Sequence, residues 1–352
     1  NAVVCEHLEA AALQLMERDV VQLGHALAGV GDHVLGDIDT GPAPAARRQF
    51  AADAADAATQ LEYVILGSDV QRGERLLPSE DAEVSELVIR SMREDGVEVL
   101  LRHNPESFSR ADGQQQVTLR DLQTDACFTR AFDAVLVATG RAANTDGFGA
   151  ETLDLALRED GTLETDDYLA TRFPNIFAVG DVTGPYQLTH AASHQAWYAA
   201  VNALFGPFKR FRVDYRVLPH AIFTDPEIAR VGLSEAEAKA QKIDYELTRY
   251  ELSELDRAIA EDARTGFVKV LTVPGKDRIL GVTIVGEHAG ELIAEYVLAM
   301  KHNLGLNKVL GTVHSYPTMA EANKYAAGNW KKAHAPERLL RWVARFHKWR
   351  LD

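Results

Sequence analysis

The chain has 352 residues, 46% of them hydrophobic, with a formal net charge of −15 and two cysteines. This is a globular composition, long enough for two or three domains around a sizeable core. The negative balance disfavours nucleic acid as a partner, and so few cysteines fit a reducing cytoplasm rather than a disulfide scaffold. No apolar run is long enough to span a bilayer, and no signal-peptide pattern opens the sequence. Residues 1–66 are Ala-rich and weakly patterned, with helical propensity over 43–60, and Val64-Ile65-Leu66-Gly67 reads as a strand. Residues 80–94 place Val84, Leu87, Val88 and Met92 at helical spacing and predict an amphipathic helix. Residues 97–101 read as a strand, and 114–119 with 127–130 as a small antiparallel pair.

Residues 132–141, Phe-Asp-Ala-Val-Leu-Val-Ala-Thr-Gly-Arg, read as a buried strand that ends at Gly140. A second short apolar run, 176–179, reads as another buried strand, ending in Gly180-Asp181. An open α/β sheet places its ligands just beyond the carboxyl ends of its strands. Gly180 has no Cβ to hold a ligand away from the backbone, and Asp181 offers a carboxylate to sugar-like hydroxyls. The Ala-rich stretch after Leu188-Thr189-His190 reads as a helix. Its N-terminal amides would face the same ligand and favour negative charge there.

From about residue 214 the pattern becomes β-rich. Segments 218–224, 245–251, 266–273 and 279–285 alternate, with Pro274-Gly275-Lys276-Asp277 as a turn. Ser234-x-x-Glu237 is a capping box that opens a short helix, and Leu292, Ile293, Tyr296, Val297 and Met300 form a helical stripe. From Trp330 onward the chain carries Lys331, Lys332, Arg338, Arg341, Arg345, Lys348 and Arg350, interleaved with Trp342, Phe346 and Trp349. Two readings stand: an amphipathic helix over 330–350 lying on an anionic membrane or partner, or a C-terminal helix packed on its own acidic body.

Ala138-Thr139-Gly140-Arg141, the run from Phe173 to Gly184, and Leu188-Thr189-His190-Ala191-Ala192 together resemble the pyridine nucleotide-disulfide oxidoreductases, the family of glutathione reductase, dihydrolipoamide dehydrogenase and mercuric reductase. The resemblance covers 67–328, about three quarters of the chain. It implies an α/β fold of FAD- and NAD(P)-binding three-layer domains, incompletely represented, followed by an α+β dimerisation domain. The implied boundaries are 1–66 (FAD-domain remnant), 67–140 (partial NAD(P) domain), 141–212 (second half of the FAD domain), 213–328 (dimerisation domain) and 329–352 (basic tail). It implies a homodimer in which Asp181 holds the ribityl chain of FAD and Leu188 and Thr189 lie under the flavin pyrimidine, with Gly140, Gly180 and His190 beside them. Gln71-Arg72 stands where the family chooses between NADH and NADPH. An Arg there accommodates a 2′-phosphate, which leans toward NADPH.

The sequence departs from the family in four places. It holds no GxGxxG loop, and its cysteines, Cys5 and Cys127, form no Cys-x4-Cys pair. Between Gly67 and the second strand of the nucleotide domain there is no Gly-rich turn or helix, although a βαβ crossover needs a dozen or more residues. Either ordered pieces of a longer protein are joined there, or a deletion abolishes pyridine nucleotide binding. Finally, the family's His-Pro-Thr-x-x-Glu reads Tyr316-Pro317-Thr318-Met319-Ala320-Glu321. A phenol titrates near 10 against about 6.5 for imidazole, so Tyr316 is a poor proton shuttle for a thiol but a sound hydrogen-bond donor to a thiolate, a bound metal ion or a quinone oxygen. Mercuric reductases and a group of bacterial relatives also place Tyr here. The resemblance thus implies a mercuric-reductase-like FAD enzyme passing electrons from NAD(P)H, through a dithiol these residues lack, to a metal ion, disulfide or quinone. His314 is either a substitute base on the face of Tyr316 or an interface histidine; Glu321 either supports proton transfer or caps the last helix. The alternative is a non-catalytic flavoprotein relic or dimeric scaffold, peripheral at a membrane or bound to a partner through its basic tail.

Overall fold

The computed structural model describes residues 63–67, 73–138 and 140–351. The helix expected over 43–60, Gln71, Arg72, Thr139 and the junction after Gly67 lie outside the described residues. The first element is β1 (Tyr63–Gly67). Next comes α1 (Ala82–Glu94), which buries Val84, Leu87 and Val88 as its spacing predicts, with Ile89 in addition and Met92 only partly buried. A three-stranded antiparallel meander follows: β2 (His103–Ala111), β3 (Gln114–Asp121) and β4 (Cys127–Phe132). The chain then returns as β5 (Ala134–Ala138), parallel to β1 with Tyr63 opposite Ala134 and Gly67 opposite Ala138.

Two expectations fail in this half. Residues 97–101 form no strand: the Val97 amide donates to the Met92 carbonyl and the Arg102 amide to Gly73, so the segment is tied around α1 rather than into a ladder. β5 is not buried either, with Leu136 and Val137 58% and 61% exposed. A parallel strand is buried by crossover helices on its faces. The one described helix between β1 and β5 is α1, and it packs instead against Ile228, Phe267 and Val285 of the C-terminal sheet.

After β5 the chain runs irregularly to α2 (Thr189–Phe205), which begins where expected. Residues 176–179 are not a regular strand. Phe177 makes one isolated bridge to Ala170, and the Ala178 amide donates to Leu169. Pairing on one side over so few residues leaves an extended loop, which ends in a single 3₁₀ turn, Gly180–Val182.

The C-terminal half contains, in order, β6 (His220–Ile222), β7 (Ile228–Gly232), α3 (Glu235–Ala240), β8 (Glu246–Glu251), α4 (Asp256–Ala260), β9 (Phe267–Thr272), β10 (Ile279–Val285), α5 (Ala289–Lys301), α6 (Leu306–Leu310), α7 (Glu321–Ala333) and α8 (Glu337–Leu351). Its five strands form an antiparallel sheet in the order β6-β7-β10-β9-β8. The capping box of α3 closes in both directions between Ser234 and Glu237. The stripe of α5 enters the main core with Leu292, Ile293 and Tyr296. The basic tail begins later than expected: Trp330 is 5% exposed within α7 and stacks on His334 at 4.2 Å. α8 has no buried residue, so the reading in which it packs on its own body fails.

Alternation across this sheet creates its main electrostatic demand. Successive side chains of a strand point to opposite faces. Ala229, Val231, Val268 and Val270 face the core built with α5 and α7, whereas Ile228 and Phe267 face α1. Arg230 and Lys269 follow the parity of Ile228 and Phe267, and their side chains are only 6% and 2% exposed. Carboxylates from the segment before and within α1 meet them. Glu80 is fully buried, 3.1 Å from Arg230 Nε and 2.9 Å from His220 Nε2. Lys269 Nζ lies 2.6 Å from Asp81 Oδ2 and also contacts Glu83 and Glu235. Asp81 further accepts the Ala236 amide at 3.0 Å, at the start of α3. Burial by itself would raise the Glu80 carboxyl, but the hydrogen bond from His220 and the charge of Arg230 outweigh it and hold it below its ordinary value. Asp81 is likewise lowered, burial being overcome by Lys269 and the Ala236 and Glu235 amides.

Removing one partner strands a buried charge, so Arg230→Met destabilises the fold by about 3–5 kcal/mol in urea unfolding. Glu80 and Asp81 titrate lower folded than unfolded. Their contribution is therefore complete above the ordinary carboxylate range and is lost on acidification below about pH 4. The unfolding midpoint of the native chain falls over that range. In Arg230→Met the fall is smaller, because protonating Glu80 then relieves an unpaired charge.

Candidate active site

The loop from Gly180 to Leu188 is pinned from inside. Gly180 adopts φ +75°, and a Cβ built on it would lie 3.3 Å from the Ala192 Cβ. Gln195, buried about two turns into α2, accepts the Gly180 amide at 2.5 Å. Its Nε2 donates to the Gly184 carbonyl at 3.1 Å and to the Tyr215 hydroxyl at 2.7 Å. The sequence reading passed over Gln195. Its signal is an amide on the Ala-rich face of a helix, shared with Asn202 seven residues on.

This arrangement brings Asp181 and the first turn of α2 together. The Asp181 side chain is 48% exposed and 3.9 Å from the Arg141 guanidinium. Arg141 also donates to the Gln187 carbonyl at 2.8 Å, which ties the stretch after Gly140 to the loop. Gly140 itself has φ +129°, a conformation that favours glycine. Leu188 is the N-cap residue of α2 and provides no side-chain cap, and Thr189 is exposed at its first position. His190 is engaged elsewhere: its Nε2 donates to the Pro219 carbonyl at 2.7 Å. A cleft of about 920 Å³ lies farther along the loop, lined by Arg158, Gly184, Tyr186, Arg212 and Tyr215, and Asp181 is outside its lining.

These residues fit one end of an FAD molecule. A half-exposed carboxylate, an Arg beside it and an uncapped helix N-terminus match a ribityl chain and the electron-rich edge of an isoalloxazine. The sequence holds no GxGxxG loop for the pyrophosphate end.

The second set of sequence candidates does not form one cluster. Tyr316 is 68% exposed, and its hydroxyl donates to Asp256 Oδ2 at 3.1 Å. That hydrogen bond and the carboxylate charge raise the phenol above its ordinary value. His314 has a side chain only 6% exposed; its Nε2 lies 3.0 Å from Glu295 Oε1 and its Nδ1 3.1 Å from the Thr312 carbonyl. Asn323 donates to the same Glu295 carboxylate at 2.9 Å. The expectation that His314 and Tyr316 share a face therefore fails. No ladder enforces alternation over 314–316, and the partly exposed Glu295 carboxylate draws the imidazole in. Glu321, 3% exposed, accepts the Thr318 amide at 3.4 Å, while the Thr318 hydroxyl donates to Ser315. The capping reading of Glu321 thus holds in one direction only. Asp256, Glu295 and Asn323 carried no local signal, because each becomes relevant only through contacts distant in sequence.

Two family models match the chain: pyridine nucleotide-disulphide oxidoreductase over residues 50–196, and the dimerisation domain of the same family over 218–327. The chain belongs to the pyridine nucleotide-disulphide oxidoreductase family. It is 34% identical over 248 residues to a dihydrolipoyl dehydrogenase of Chlamydia pneumoniae, covering 70% of this chain and 52% of that one. It is 33% identical over 268 residues to that of Staphylococcus aureus, covering 75% and 56%. The chain thus spans about half the length of these curated relatives. Among solved structures, LpdA of Mycobacterium tuberculosis superposes with a TM-score of 0.68 at 25% identity, over 75% of this chain and 60% of that one. The Cu(II) complex of a HOCl-induced flavoprotein disulfide reductase of Escherichia coli gives 0.66 at 25% identity, over 76% and 58%. These curated relatives are dihydrolipoyl dehydrogenases and lend no support to the mercuric-reductase-like branch.

Replacing Gln195 by Leu leaves the Gly180 amide and the Gly184 carbonyl without their partner in a buried place, and costs about 1–3 kcal/mol per stranded group. Asp181→Ala, at an exposed position, leaves the unfolding midpoint within about 0.5 kcal/mol of the native value. Urea unfolding of the two variants side by side separates the group that builds the loop from the group the loop presents.

Proposed function

We propose that the chain acts in an FAD-dependent oxidoreductase that takes reducing equivalents from NAD(P)H and delivers them to a small-molecule or metal-ion acceptor. The observation that carries this reading is the convergence of Gly180, Asp181 and Arg141 on the N-terminus of α2, within a segment matched by the family. FAD, when bound, supplies the hydride and electron chemistry. The chain's own residues position it: Asp181 accepts hydrogen bonds from the ribityl hydroxyls, Leu188 and Thr189 lie against the pyrimidine, and the α2 N-terminus favours negative charge at the ring edge. Gln71-Arg72 leans the nucleotide preference toward NADPH.

The dimerisation domain makes a homodimer the natural assembly. Exposure of Phe223 at 82%, Leu298 at 59% and Val313 at 95% supports it, because these side chains have no cover in a single subunit. Tyr316 then acts as a hydrogen-bond donor at the acceptor site, its single O–H turning from Asp256 to the incoming group. With its phenol held above the ordinary value it stays protonated through neutral pH, which suits a thiolate, a metal-bound ligand or a quinone oxygen better than proton shuttling to a thiol. A mercuric-reductase-like acceptor fits this chemistry, with the dithiol supplied from outside this sequence. The full exposure of α8 favours a second reading, a non-catalytic dimeric scaffold docked through its tail.

The purified protein is expected to be yellow and to bleach under NADPH without oxygen. Asp181→Ala weakens flavin retention about tenfold or more, the worth of one charged hydrogen bond. Tyr316→Phe lowers turnover without loss of flavin, and native turnover shows no ionisation of this phenol across neutral pH. A colourless, folded protein that takes up no added FAD overturns the enzymatic reading in favour of the scaffold.

A further inference from the structure

At 3.6 residues per turn, α8 divides into two faces. Arg338, Arg341, Arg345 and Lys348 gather with Glu337 on about a quarter of its circumference. Leu339, Leu340, Val343, Phe346 and Leu351 occupy the opposite side. Trp342 and Trp349 fall at the border, next to Arg338 and Arg345. His347 and Arg350 also fall on the apolar side, Arg350 in the last turn, where a long side chain reaches around to the polar face. The aromatic rings form a ridge, with Trp342 to Phe346 at 5.8 Å and Phe346 to Trp349 at 6.0 Å. None of this is covered: Leu339, Leu340, Trp342 and Trp349 are 54%, 52%, 62% and 73% exposed.

The choice of what covers this helix follows from the relation of the two faces. A protein surface that took the apolar face would leave the cations in water, and one that took the cations would leave the aromatic ridge exposed. The surface of an anionic bilayer takes both at once: acyl chains under the apolar face, headgroup phosphates beside the cations, and indoles at the level between them. Charge points the same way. The whole chain is at −15 although α8 is cationic, so the body is repelled by an anionic surface and α8 is the part such a surface attracts. With 15 residues α8 is about 22 Å long, short of the roughly 30 Å hydrocarbon layer. Among the described residues no helix is long and apolar enough to cross a membrane. The geometry points to α8 lying in the plane of an anionic lipid surface, apolar face down and indoles at the boundary, and tethering the protein there. This docking deepens the tail's part in the scaffold reading and does not depend on flavin.

Flotation of the full chain with vesicles tests it. The protein rises with vesicles of phosphatidylcholine and phosphatidylglycerol, stays behind with phosphatidylcholine alone, and is released by salt. Arg341→Glu combined with Arg345→Glu lowers the partition coefficient about tenfold or more. Trp342→Ala combined with Trp349→Ala does the same, and both double variants keep the native unfolding midpoint because none of the four side chains is buried. Equal binding to neutral vesicles, no flotation, or binding unchanged by charge reversal overturns the proposal. So does self-association without lipid that the Trp variant abolishes, since a second copy then covers the face. Flavin absorbance on the same samples keeps the readings apart: a yellow protein that does not float sinks only the docking, and a colourless one that floats sinks only the flavin chemistry.

Discussion

Two cations buried on one face of a β-sheet, Arg230 and Lys269, set the constraint around which the described fold is organised. Neither can stand unpaired in that position. Besides Glu237 and Glu235 nearby, the carboxylates that pair them, Glu80, Asp81 and Glu83, come from a segment 150 or more residues earlier in the chain. Pairs of this kind add little net stability over apolar side chains of the same shape, but breaking one is expensive. What they supply here is placement. The segment entering α1 has one register on the sheet, and Val84, Leu87 and Val88 are then set down on Ile228, Phe267 and Val285. The same commitment takes α1 away from the β1–β5 pair and leaves β5 open to solvent.

That clasp connects to the candidate flavin site through a short run of contacts. His220, the first residue of β6, binds Glu80. The carbonyl of its neighbour Pro219 takes the hydrogen bond from His190 in the first turn of α2. Farther along α2, Gln195 holds Gly180 and Gly184. The N-terminus of α2 is thus fixed from two sides: by the C-terminal sheet at its first turn, and by its own glutamine at the loop it faces. A site that presents a carboxylate and helix amides to one ligand needs this placement, because neither Asp181 nor Thr189 is held by burial.

The sequence disclosed what local pattern encodes. α1, α2, the capping box of α3 and the stripe of α5 were legible, since periodicity and capping are read within a few turns. Gly180, Asp181 and Thr189 could be singled out as candidates because they sit together in one contiguous motif. β7 was hidden by Arg230, a cation inside an otherwise apolar run, whose tolerance depends on Glu80 far away. Residues 97–101 and 176–179 have the composition of strands but find too few backbone partners among the described residues. Gln195, Glu295, Asn323 and Asp256 were illegible for the same reason: each is an ordinary surface-type residue until the fold supplies its partner.

The C-terminal loop shows how such partners sort candidate chemistry. Three side chains within eight residues, His314, Tyr316 and Glu321, look equally available in the sequence. Folding takes two of them out of use. Both nitrogens of His314 face groups of its own chain, Glu295 and the Thr312 carbonyl, so the ring is engaged internally. Glu321 is buried against the Thr318 amide and raises the Tyr325 phenol nearby. Tyr316 is the one of the three left facing solvent. Any molecule approaching this loop therefore meets a phenol that Asp256 keeps protonated. Its one O–H is donated to Asp256, so it offers that proton to an incoming group only by leaving the carboxylate, and otherwise meets it as an acceptor.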